Sequence, residues 1–165
     1  MVASVARRLT LVETMKQERF MDDVAKLAFA TSDHSTIDQH FGSAESIVIY
    51  KVTPEDAVFS EIIVFDTAEH DGNEDKLKSR IAAVEDCAVV YCRAIGGSAV
   101  MQLDALGIQP AKVSPGTTIR GQIALLQTQM RKDPVLWLLL KNRGGKPAEK
   151  PASRFDDMER SGWVE

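Results

Sequence analysis

The chain has 165 residues, 44% hydrophobic and 27% charged, with six prolines and a formal net charge of −4. That length allows one domain with a sizeable core and argues against two ordinary ones. The acidic balance and dispersed basic residues disfavour nucleic acid as a partner. The longest apolar run, Val135 to Leu140, falls far short of the roughly 20 residues a membrane helix needs.

Residues 1–24 mix Arg7, Arg8, Lys16 and Arg19 with Glu13, Glu18, Asp22 and Asp23. They carry no long apolar stretch before a small-residue cleavage site, so they read as a flexible leader on a cytoplasmic protein. "AKLAFAT" (25–31) reads as a buried strand, and the polar "SDHSTIDQHFGSA" after it as a loop. "ESIVIYKV" (45–52) and "AVFSEIIVFD" (57–66) are rich in β-branched and aromatic residues. With the proline turn "TPED" between them they predict an antiparallel hairpin.

Beyond an acidic stretch, Leu77, Ile81 and Val84 recur at helical spacing, with Asp71 or Asn73 as the expected cap. "CAVVYCRA" (87–94) is continuously apolar, as a strand covered on both faces would be. In "IGGSAVMQLDALG" the residues Ala99, Val100, Leu103 and Leu106 form an inward stripe, and Gly107 closes the helix. "IQPAKV" (108–113) is a short strand. Ile119, Ile123, Leu126 and Met130 make a third helical stripe, and Pro134 opens a further helix. Residues 141–165 read as an extended tail in which Phe155 and Trp163 are docking candidates. The 25–140 region is therefore expected to be a single α/β domain, with a mixed, mainly parallel sheet of about five strands flanked by helices. Ligands of such sheets favour the carboxyl ends of the parallel strands.

Two stretches there could carry chemistry. The first is the loop holding Asp33, His34, Asp38, Gln39, His40 and Phe41. In one reading Asp38 and Ser43 cap turns, Gly42 supplies an unusual backbone angle and Phe41 anchors the core. In the other, His40 is a nitrogen ligand for a transition metal or an iron–sulfur species. The second is "YCRAIGG". Cys87 and Cys92, five positions apart on an extended strand, should face opposite sides with backbones roughly 16 Å apart. Cys87 is then an apolar filler, while Cys92 lies near the strand end, where a thiolate could meet a ligand. Gly96 and Gly97 precede a helix whose amides would welcome an anion, although no GxGxxG or GxxxxGK[ST] is present and a plain tight turn fits equally well.

Other sites are weakly supported. His34, His40 and His70 lack zinc spacing, and there is no CxxC. Asp66, Glu69, Asp71, Glu74 and Asp75 lack the calcium-loop pattern. Asp33, Asp38 and Asp66 could converge as a two-metal nuclease site only if the sheet placed them together.

"DQHFGSAESIVIYKV", with "DGNEDKL", "CAVVYCRAIGGSAVMQLDALGIQPAKV" and the closing "RFDDMERSGWVE", resembles the NifX branch of the nitrogenase iron–molybdenum cofactor biosynthesis proteins over about residues 25–140. The resemblance implies a ribonuclease-H-like fold without nuclease activity. It also implies a non-enzymatic carrier of iron–sulfur precursors of that cofactor, receiving them from a NifB-type donor and exchanging them with a NifEN-type scaffold. His40 of the HFG stretch is the cluster contact carried over from it. Local reasoning adds Cys92 as a second ligand, Gly96, Gly97 and Ser98 as an anion-facing backbone, and Arg93 as a charge partner. Two alternatives stay open: a nucleotide or phosphometabolite sensor using the glycine turn, and a pure interaction module of the assembly machinery.

Overall fold

The computed structural model describes residues 23–65 and 73–143. His70, Asp66, residues 1–22 of the expected leader and residues 144–165 of the expected tail lie outside the described residues. Lys141 and Asn142, expected to begin an extended tail, instead close the last helix, because the apolar run after Pro134 carries it on to Asn142. Strands β1 (Ala25–Thr31), β2 (Ser46–Val52), β3 (Ala57–Val64), β4 (Val89–Cys92) and β5 (Gln109–Lys112) alternate in the later half with helices α1 (Asn73–Ala83), α2 (Gly97–Ala105), α3 (Ile119–Lys132) and α4 (Pro134–Asn142). The sheet order is β3-β2-β1-β4-β5. β2 pairs antiparallel with both β1 and β3, whereas β4 pairs parallel with β1 and β5. Four of the five strands therefore run the same way and β2 alone is reversed, a mixed sheet of the expected size.

Side-chain alternation divides the core into two layers, one on each face of the sheet. Leu27, Phe29, Val48 and Tyr91 face α3 and α4 and pack against Ile119, Ile123, Leu126, Met130 and Leu140. Phe29 stacks on Tyr91 at 5.2 Å and meets Tyr50 edge-on at 6.0 Å. All four members of the third helical stripe are buried, as their spacing requires. Ala28, Ala30, Ile47, Ile49, Val90 and Cys92 face the other way, against Phe41, Ile81, Ala99 and Leu103.

Helix ends follow local chemistry. Asp133 accepts from the Val135 and Leu136 amides at 3.0 and 3.2 Å, and Pro134 occupies the first turn of α4, where its missing N–H costs nothing. Gly107, at φ 76°, turns the chain out of α2. The Ile108 N–H then reaches back to the Leu103 carbonyl at 2.9 Å. Leu106, expected to face inward, is 44% exposed because α2 ends at Ala105 before its stripe completes another turn.

The two borders of the sheet differ. β5 is four residues long and contains Pro110. β3 is eight residues long, has neither proline nor lysine, and exposes Val58, Phe59, Ile62 and Val64.

The expected opposition of the two cysteines is corrected. Regular alternation begins only at Val89, and Cys87 sits in the turn before it, so both thiols enter the same layer. The spacing argument assumed a strand from residue 87, and the tight Val84–Cys87 turn, closed by the Cys87 N–H to the Val84 carbonyl at 2.9 Å, removes its first residues.

Candidate functional site: an open cleft between the HFG loop and the glycine turn

The loop after β1 is organised by two carboxylates. Asp33 accepts from the Thr36 N–H and hydroxyl, both at 2.7 Å, from the Ser35 N–H at 2.9 Å and from the Thr31 hydroxyl at 3.2 Å. These bonds, the Thr36 N–H foremost, hold its carboxyl well below the usual carboxylate range. Asp38 accepts from the Ser32 N–H at 2.8 Å and from the Ser32 hydroxyl. Both acids thus brace the loop as turn-capping residues, and no cluster of three or more potential metal ligands exists among the described residues.

The end of this loop is laid alongside the end of β4. The Arg93 N–H bonds the Gln39 carbonyl and the Phe41 N–H bonds the Ala94 carbonyl, each at 2.9 Å, so His40 bridges to Ala94 in parallel register. A short 3-10 turn, Phe41–Ser43, follows. Phe41 plugs fully into the core, leaving His40 exposed one residue before it. From α1, Arg80 locks this arrangement: it donates to the Ala44 carbonyl at 2.9 Å and to the Lys76 carbonyl at 3.1 Å, and lies 4.2 Å from the Phe65 ring centre.

A cleft of about 270 Å³ results, with His40, Gly42 and Ser43 on one side, Gly96, Ser98 and Ala99 on another, and Lys76, Leu77 and Ile95 completing it. Gly96 caps α2 with extended backbone, and Gly97 is its first residue. The amides of the first helical turn have no intrahelical carbonyl to bond, and they carry the positive end of the helix dipole. Neither Gly96 nor Gly97 has a positive φ, and a β-carbon on either would meet nothing within 4 Å. A strained turn is thus not what these glycines serve; their bare backbone leaves the amides approachable from the cleft. Gly42 likewise has no positive φ, and a β-carbon there would only touch Leu77 at 4.0 Å, so it does not supply the special angle expected of it.

Of the expected site residues the structure brings His40, Gly96 and Ser98 to the cleft; Gly97 lies between the last two without lining it, and Cys92 and Arg93 lie elsewhere. Cys92 is fully buried in the layer beneath the cleft, its Sγ 3.9 Å from the Ala111 carbonyl oxygen, and burial pushes its thiol up to about 11. Burial likewise pushes Cys87 up to about 12. Arg93 points to the opposite face of β4, where it donates to the Val113 carbonyl at 3.0 Å. The cleft's cationic side chain is instead Lys76, which sequence reasoning missed because it lies in an acidic helix entry. Its place directly before the stripe residue Leu77 was the available signal. Among the described residues, no acidic side chain lines the cleft.

Because both cysteines are protonated and enclosed, neither should react with a bulky thiol reagent at pH 8 in the folded protein. A chromogenic disulfide titration is expected to show no rapid thiol in buffer and two in denaturant.

Comparison with known proteins bears on the same region. The family model for the dinitrogenase iron-molybdenum cofactor matches residues 23–129. Protein NifX of Azotobacter vinelandii is 45% identical over 143 residues, covering 85% of this chain and 87% of that protein. Protein NifX of Herbaspirillum seropedicae is 34% identical over 120 residues, covering 72% of this chain and 82% of that one. A segment making up 19% of the FeMo cofactor biosynthesis protein NifB of Frankia alni is 30% identical over 55% of this chain. The chain belongs to the dinitrogenase iron-molybdenum cofactor family, and within it to the NifX-type proteins of cofactor biosynthesis. Among the described residues no helix is long and apolar enough to cross a membrane.

Proposed function

We propose that this protein is a non-catalytic carrier that holds an iron–sulfur precursor of the iron–molybdenum cofactor in the His40 cleft and releases it to a NifEN-type scaffold, after receiving it from a NifB-type donor. One observation carries the reading: an exposed imidazole shares an open cleft with a bare glycine helix start and a lysine, and among the described residues no carboxylate lines it. An iron–sulfur cargo is bulky and anionic, with sulfides that accept hydrogen bonds. His40 supplies one replaceable nitrogen ligand, and the Gly97–Ser98 amides and Lys76 face the cargo's charge. Four enclosing thiolates would grip too firmly for hand-over, and the only two cysteines are buried out of reach. The match to a segment of NifB supports a setting in which this domain works next to cluster synthesis. The strand order 3-2-1-4-5 with β2 reversed supports the ribonuclease-H-like arrangement.

Anaerobic mixing of the apoprotein with precursor cluster, followed by gel filtration and iron analysis, tests the reading. Iron is expected to co-migrate with the protein, and Lys76→Glu, which places a carboxylate against the cargo, should reduce retained iron at least about tenfold. Iron that elutes entirely apart from the wild-type protein overturns it. Adenine nucleotide serves as the rival ligand. A 270 Å³ cleft lies below the roughly 300–1,000 Å³ usual for drug-sized ligands, so saturable nucleotide binding is not expected.

A further inference from the structure

The loop after β1 carries two histidines, and the fold sends them to opposite faces of the sheet. We propose that His34, on the face away from the cargo cleft, belongs to a second pocket that binds a small oxyanion, a carboxylate or a phosphate. A cavity of about 180 Å³ is lined there by His34, Ser35, Tyr50, Thr118, Ile119 and Arg120. Tyr50 and Ile119 belong to the layer packed under α3 and α4, so the sheet itself separates this cavity from the cleft at His40. The walls are fixed to one another by backbone: the Ile119 N–H bonds the Ser35 carbonyl at 2.9 Å, the Ile37 N–H bonds the Thr117 carbonyl at 3.0 Å, and Thr36 bridges to Thr118.

The chemistry of the lining selects the ligand. The lining residues Arg120, His34, Tyr50 and Ser35 carry a guanidinium, an imidazole, a phenol and a hydroxyl, all able to donate, and among the described residues no carboxylate lines the space. Arg120 makes no ion pair among the described residues. The nearest acid in sequence, Asp33, is already taken up by its four loop donors. An unneutralised planar fork of donors recognises carboxylate or phosphate oxygens. Size narrows the class further: at about 180 Å³ the space is smaller than the roughly 300–1,000 Å³ sites of drug-sized ligands. Inorganic phosphate or a short-chain carboxylate fits, and a nucleotide does not. The inference stands independently of the cargo reading, since it uses none of the same residues.

Titrating the apoprotein with inorganic phosphate and, separately, with succinate at low ionic strength tests it by amide NMR, with sodium chloride as the control. Saturable shifts are expected at Ser35, Ile119 and Arg120 for at least one of the two, and the one that binds names the source of the oxyanion. Arg120→Ala, at an exposed position, should weaken that binding at least about tenfold, and Tyr50→Phe should weaken it less. The proposal is overturned by no saturation with either anion up to about 10 mM, by equal affinity in Arg120→Ala, or by shifts confined to Gly97 and Ser98. The last result would put the anion in the cargo cleft.

Discussion

Replacing His40 with alanine is expected to abolish stable cargo retention while leaving the fold intact. The imidazole is exposed and its side chain makes no capping bond to the turn that follows, so the stability change should stay within about 0.5 kcal/mol. Loss of the one nitrogen ligand should weaken cluster binding by at least about tenfold, or about 1.4 kcal/mol. The two effects are measured separately, by thermal unfolding of the apoprotein and by iron retained after anaerobic gel filtration. If the variant melts as the wild type and still retains iron equally well, His40 is not the ligand. A cooperative loss of structure would instead make it a structural residue.

Phe41→Ala should behave in the opposite way. Phe41 is fully buried among Ala44, Ile47, Cys92 and neighbouring residues of that layer, and truncating a buried phenylalanine costs about 3–5 kcal/mol. Against a typical total of about 5–15 kcal/mol, that is a large fraction, and a fall in melting temperature of roughly 10–20 °C is expected from calorimetry. Cargo retention should fall too, because the buried ring seats the loop whose main-chain bonds to Ala94 and Arg93 lay His40 beside the glycine turn, and without the ring those bonds lose their anchor. Phe41→Leu, which keeps most of the volume, should recover most of both. An unchanged melting temperature in Phe41→Ala would show that the loop is not seated as described.

How far the sequence could be read depended on the kind of signal each residue carried. β1 falls at residues 25–31 as expected, because its apolar run ends abruptly at Ser32 and Asp33. The stripe Ile119, Ile123, Leu126 and Met130 is buried as expected, since 14 regular helical residues keep the phase of the repeat. Predictions that extended a strand too far failed. β4 spans four residues rather than the eight from 87 to 94, so parity counting from Cys87 gave the wrong face. Arg93 is half-buried immediately beyond β4, and its orientation toward Val113 is set by β5, a partner distant in sequence. The juxtaposition of His40 with the glycine turn was expected only from the general rule about strand ends. It is realised through two backbone hydrogen bonds that no residue type announces. Lys76 entered the site for a similar reason, because packing of α1 against the HFG turn is a tertiary fact.

The unequal borders of the sheet have a consequence for assembly. A strand offered from outside would find Pro110 interrupting the donor row on one flank, and there the run is over within four residues. On the other flank, Ala57–Val64 is twice as long and edged with exposed valine, phenylalanine and isoleucine side chains, and its register shift at Ser60 divides the main-chain row into two shorter runs. Among the described residues the β3 flank is therefore the one with length for an added strand, and β2 and β1 separate it from the strand that ends at the His40 cleft.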